Sequence, residues 1–188
     1  MFRFALACLI FLAAPVMAQF RVEVTGVGMT QMPIVVAPFK GEAGSPQKPA
    51  AIVQADLERS GQFKAIDAAG NVVDELSRPD WSAWRQRSAD ALVGGSITRL
   101  ADGRYDIRAR LWDVVKGQEK GDYRETVAAA ELRQASHRLA DWVFQQLTGT
   151  PGAFATRIAY VTKAGGRYNL WVADSDGEGA QSALSSPE

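Results

Sequence analysis

The chain of 188 residues carries 21 Lys and Arg against 21 Asp and Glu, with 47% apolar and 22% charged residues. This composition excludes a disordered or collagen-like chain. The charge balance argues against a dedicated nucleic-acid binder, which needs a basic excess to neutralise phosphates, and the length allows one domain, or one domain with a fragment of a second.

Residues 1–18 stand apart. Arg3 gives a minimal positive start, residues 4–14 form an unbroken apolar run, and Pro15 ends it. Val16-Met17-Ala18 then places small enough side chains before a cleavage bond between Ala18 and Gln19. A run of 11 residues covers about half of a ~30 Å hydrocarbon core. The segment therefore reads as a cleaved export signal, and no membrane insertion is expected after its removal. Cys8, the only cysteine, lies inside that run, and Ala5 stands where a lipid-acceptor site would need a large apolar residue. The mature chain is expected to have no disulfide and no thiolate metal site. Loss of Arg3 leaves 20 basic against 21 acidic residues.

Residues 20–24 alternate like a strand, and residues 25–32 bring two glycines and no clear period. Two readings stay open: an edge strand with its turn, or an arm ordered only when bound. Residues 34–37, Ile-Val-Val-Ala between Pro33 and Pro38, form the continuous apolar run of a strand buried on both faces. Pro49 suits the first turn of a helix with Val53 and Leu57 on one face and Gly61 at its end. Residues 63–66 return as a strand, so the domain opens β-α-β.

A short helix over 80–88 follows Pro79. Strands over 91–100 and 104–114 flank Asp102-Gly103, a hairpin signal. In the second strand Tyr105, Ile107, Ala109 and Leu111 alternate with Asp106, Arg108 and Arg110, which predicts a sheet covered on one side only. Residues 116–122 read as a polar turn before a third antiparallel strand, 123–127. The strongest helical pattern spans 129–148, where Leu132, Ala135, Leu139, Trp142, Val143 and Leu147 form the stripe. Residues 19–150 are thus expected to form an α/β domain, a mixed sheet with two or three helices. Past the Gly149–Phe154 linker only strands follow, 157–162 and 168–173. The polar tail 178–188 offers no obvious third partner.

Few residues invite chemistry. His137, the single histidine, falls on the polar side of its helix and reads as a solvated residue. Gly94-Gly95-Ser96-Ile97-Thr98 misses the nucleophile-elbow pattern and fits a close-packed strand. Asp174 and Asp176 lack the further oxygen ligands of a calcium loop and read as a turn. Asp56 and Glu58, two apart on a helix, do not face each other. Trp112 lies on the polar face of its strand, where it covers a helix or sits at an interface. Trp81 and Trp84 read as a local packing pair. No catalytic residue, metal ligand or cofactor is assigned.

Several segments together resemble the TolB family. These are Pro33–Phe39, Ala55–Phe63, Leu147–Phe154 with Thr156–Val161, and the hairpin Arg157–Val161 with Leu170–Gly177. The resemblance implies the α/β domain followed by the first, incomplete blade of a β-propeller. Its boundaries would be 1–18 signal, 19–32 arm, 33–150 α/β domain and 151–188 linker with partial blade. It implies a non-enzymatic periplasmic adaptor of the Tol-Pal complex that links TolA and Pal in outer-membrane invagination and integrity. TolA would bind the arm, with Phe20, Arg21, Val22, Glu23 and Val24 as contacts. Pal, and colicin peptides in some bacteria, would bind the propeller, of which five further blades would be expected. The rival readings are the front of an exported propeller-containing hydrolase and a small ligand-binding module of residues 19–150.

Overall fold

The computed structural model describes residues 31–187. The export signal, the Ala18–Gln19 bond and the arm residues Phe20 to Val24 lie outside the described residues.

The first strand, β1 (Met32–Val36), sits inside a five-stranded sheet, in the order Phe63–Ala65, β1, Ala91–Arg99, Tyr105–Asp113, Gln118–Val127. Ile34, Val35, Val36 and Ala37 are all buried, as the apolar run requires. Helix α1 (Pro49–Arg59) starts on its proline and turns Val53 and Leu57 inward. Gly61 at φ 73° then lets the chain turn back into β2 (Phe63–Ala65), which pairs parallel with β1. Helix α2 (Trp81–Gln86) is capped by the Asp80 carboxylate, which accepts from the Ser82 and Ala83 amides. β3 (Ala91–Arg99) runs parallel to β1, and β4 (Tyr105–Asp113) returns antiparallel through the Asp102-Gly103 turn.

β5 (Gln118–Val127) is twice the length expected from residues 123–127. The reversal is confined to the residues just before it, where Gly117 takes φ 67°. The polarity of residues 118–122 alone predicts a turn. An edge strand presents such residues to water, and a register shift at Leu111/Trp112 accommodates them.

Helix α3 (Leu132–Thr148) follows a 3-10 turn at Ala129–Glu131 and ends at Gly149, φ 76°. It lies with α1 on one face of the sheet. Leu132, Ala135, Leu139 and Val143 are fully buried there, while Trp142 and Leu147 are only partly covered. Phe144 is an addition to the stripe, its ring edge-on to Phe63 at 5.9 Å and to Phe154 at 5.6 Å. The buried surface is wider than one stripe because α3 packs against both the sheet and α1.

The opposite face is not bare, which corrects the one-sided sheet. Residues 66–89, with α2, cover its β1–β3 end, and Val35, Leu92, Trp112 and Val114 pack there against Val73 and Trp84. Trp112 is 1% exposed. It packs there with Trp84 of α2, which is the helix-covering alternative of its two readings.

Further along this face the residues are polar and paired. Arg110 donates to Asp122 at 2.5 Å and to Glu119 at 2.9 Å. Arg108 and Arg124 oppose each other across the strands and share Asp106, which also accepts from Thr126. Burial would raise the Asp106 pKa, but the hydrogen bonds from Arg108, Thr126 and Arg124 outweigh it and hold the carboxyl below its ordinary value. A carboxyl lowered on folding stabilises above its unfolded pKa, near 3.9, and loses that contribution as pH falls through its folded value. Asp106→Asn should therefore cost about 1–2 kcal/mol at pH 7. The gap from wild type should narrow on acidification below about pH 4, as read from urea midpoints at the two pH values.

The second sheet is an antiparallel meander of β6 (Arg157–Ala164), β7 (Arg167–Asp174) and β8 (Gln181–Pro187). Gly165 and Gly166, both at positive φ, form a two-residue hairpin turn whose twist matches that of the strands. β8 corrects the expectation that the tail has no strand partner. Its sequence shows little apolar alternation, yet main-chain pairing to β7 does not need it.

Candidate functional site

Where the second sheet meets the first domain, charged groups of α1, α3 and the turn after β7 converge. Residues 133, 137 and 141 recur every four positions and so share one face of α3. Arg133 Nε donates to Asp174 Oδ2 at 3.2 Å, and its Nη2 donates to Asp176. His137 Nδ1 lies 2.6 Å from Asp56 Oδ2, and its Nε2 lies 3.8 Å from Asp176 Oδ2. The second Asp56 oxygen accepts from Arg59 Nη1 at 2.8 Å. Asp141 accepts the Phe154 and Ala155 amides at 2.6 and 3.0 Å. A cavity of about 490 Å³ opens beside this network, between Arg133, Gln134 and the β7–β8 strands.

His137 is completely buried, which overturns its reading as a solvated residue. Helical spacing placed it off the apolar stripe correctly, but that side of α3 faces α1 and the β7 turn instead of water. Asp56 gave the available signal. It falls on the inward face of α1, between Val53 and Leu57, where a carboxylate requires a buried partner.

The Asp56–His137 contact resembles the base and orienter of a nucleophile relay. Its outer nitrogen faces another carboxylate, however, and the Ser136 hydroxyl donates instead to the Leu132 carbonyl. Asp56, His137 and Asp176 also offer ligand atoms within 4.8 Å of one another. Asp56 is engaged on the Nδ1 side of the ring and Asp176 holds Arg133, so a cation at Nε2 would gain two protein ligands at most. Structural zinc uses four. The network is suited to holding two parts of the chain together.

The remaining candidates fall into structural roles. Asp174 and Asp176 do form a turn, with the Glu178 amide donating to Asp176 Oδ1 at 3.0 Å, and they also receive Arg133. Gly94 and Gly95 lie in close-packed β3: a Cβ on Gly94 would meet Val73 at 2.7 Å. Trp84 is buried and Trp81 packs beside it, with the Arg87 guanidinium 5.5 Å from the Trp84 ring centre. Glu58 is exposed. At the root of the arm, Gln31 Nε2 donates to the Gly61 carbonyl at 3.1 Å, and the Met32 amide to Gln62 at 2.9 Å. The strand is thereby fixed from Gln31 onward.

Compared with known proteins, residues 20–120 match the family described as the TolB amino-terminal domain. The chain belongs to the TolB family. The Tol-Pal system protein TolB of Albidiferax ferrireducens is 63% identical over 174 residues, 93% of this chain and 41% of the relative. The protein of the same name from Polaromonas naphthalenivorans is 64% identical over 171 residues, 91% of this chain and 40% of the relative. The chain thus spans about 40% of the length of these TolB relatives. The crystal structure of TolB from Acinetobacter baumannii superposes with a TM-score of 0.72 at 34% identity, covering 83% of this chain and 39% of that one. The TolB likeness establishes the architecture, a mixed α/β amino-terminal domain followed by the start of the propeller. The relatives are named as members of the Tol-Pal system, and none of these names describes an enzyme.

Proposed function

We propose that this chain is the amino-terminal part of a periplasmic Tol-Pal adaptor that works by protein binding, linking TolA and Pal during outer-membrane invagination and maintaining outer-membrane integrity. The observation that carries the reading is the identity to Tol-Pal system proteins over more than nine tenths of the chain. The export leader supports placement in the periplasm. No helix among the described residues is long and apolar enough to cross a membrane. In this reading the segment Gln19 to Met32 holds the TolA-binding arm, with Phe20, Arg21, Val22, Glu23 and Val24 as contacts and with Gln31 and Met32 as its root in the sheet, and Pal binds on the propeller. The buried network supports the non-enzymatic part, since both nitrogens of the single histidine face carboxylates.

A strand-like arm would bind by adding to the edge of the TolA sheet through main-chain hydrogen bonds. Proline removes the amide such a strand needs. Val22→Pro combined with Val24→Pro should weaken binding to the TolA C-terminal domain by about tenfold or more, read by titration calorimetry. Unchanged affinity would overturn the arm assignment.

A further inference from the structure

Among the described residues, no helix or strand of the first domain runs alongside β6, β7 or β8. Phe154 of the linker packs edge-on to Phe144 at the joint. What joins them is polar and comes from one face of α3. Arg133 reaches Asp174 and Asp176, His137 points Nε2 toward Asp176, and Asp141 takes the Phe154 and Ala155 amides. Gln134 adds a donor to the Ala155 carbonyl. On the receiving side, the Ser175 amide donates to the Thr156 carbonyl at 3.1 Å and its hydroxyl to the Phe154 carbonyl at 2.6 Å. Segments 154–156 and 174–176 are therefore tied to each other as well as to α3.

We propose that the Arg133–His137–Asp141 ladder is an orientation latch, which fixes the α/β domain against the start of the propeller and opens as a unit while both parts stay folded. Three features make it a latch. First, the rungs act on a joint where no helix or strand of one part runs along the other, and such joints allow relative motion by default. Second, the ladder is anchored in the first domain. His137 is held through Nδ1 by Asp56, which is itself held by Arg59, so the imidazole plane is fixed before the second part docks. Third, the outer rung is incompletely closed. His137 Nε2 is buried without a hydrogen-bond partner, and its 3.8 Å to Asp176 exceeds a formed bond. Gly152 belongs to the same device, because a Cβ there would come within 2.7 Å of the Asp141 Cα and drive the linker off the helix. His137 and Arg133 are positioning residues, and the proposal stands whether or not the TolA and Pal assignments do.

The test is hydrogen exchange of the 188-residue chain, read at a rung that the substitution does not touch. Arg133→Gln removes the Arg133–Asp176 rung, and Asp176→Asn weakens it by taking away the carboxylate charge and one of its two acceptor oxygens. If the ladder opens as a unit, the Phe154 and Ala155 amides, held by Asp141, should exchange about tenfold faster or more in both variants. Amides of β3 and β4 should keep wild-type protection. The double variant should exchange no faster there than the faster single, and Arg133→Lys, which keeps a charged donor, should restore part of the protection. Unchanged exchange at Phe154 and Ala155 would overturn the latch, as would an equal loss of protection throughout β3 and β4. Asp176 lies in a turn outside the first domain, so Asp176→Asn decides the question if Arg133→Gln fails to fold.

Discussion

Asp56→Ala is expected to destabilise the α/β domain by about 3–5 kcal/mol at neutral pH, the range found when one partner of a buried pair is removed. Two effects contribute, and the polar one is larger. Truncation leaves a small gap between α1 and α3, as in any large-to-small change in a core. It also strips His137 of its Nδ1 partner while Nε2 already has none, leaving both polar nitrogens of a completely buried ring unsatisfied. Arg59 would lose its carboxylate as well, but its side chain is 47% exposed and water replaces that contact. Asp56→Asn keeps the volume and one hydrogen-bonding oxygen, so its cost should be smaller, about 1–2 kcal/mol. Urea unfolding at pH 7 separates these contributions. Equal costs for the two substitutions would show that charge and not bonding capacity matters, and a loss below about 1 kcal/mol for alanine would refute the account.

The second large effect is expected at Gly95. It lies mid-strand in β3, opposite Ala109 of β4. A Cβ there would fall well inside contact distance of the Arg108 carbonyl oxygen and 2.9 Å from the Phe39 ring. Phe39 could turn slightly, but the carbonyl belongs to the neighbouring strand, so relief requires the sheet to open locally. Gly95→Ala should cost about 2–3 kcal/mol, typical of overpacking. Gly44→Ala is the matched control: nothing lies within 4 Å of its added Cβ and its φ is ordinary. It should shift stability by no more than about 0.5 kcal/mol. Thermal unfolding of both variants tests the contrast, and similar midpoints would mean that β3 and β4 yield far more readily than close packing allows.

Much of the backbone is legible in local sequence. The Pro-bounded run at 34–37, Pro49 and Gly61 around α1, Asp102-Gly103 between β3 and β4, and Gly149 after α3 each combine a periodicity with a terminating residue. These signals act over one turn or one hairpin, so neighbours in sequence suffice to fix them. The segments quoted for the family resemblance were equally readable, and the comparisons place the chain in that family.

The misreadings share one cause. The one-sided sheet, His137, the turn at residues 118–122 and the unpartnered tail each follow from a single strand, helix or run of polar residues. Trp112 is buried because residues 66–89 return over the sheet, and His137 because α1 and the β7 turn close over the second side of α3. β5 and β8 extend because a neighbouring strand supplies hydrogen bonds that polar residues accept as readily as apolar ones. Sequence alone determined the β-α-β opening, the hairpins and the long helix, since each follows from dihedral preference and the period of one buried face. Tertiary structure alone decided the latch: Asp56, His137 and Asp176 are far apart in the chain, and only packing of α1, α3 and the β7 turn brings them together and excludes the water that would otherwise solvate each polar group separately.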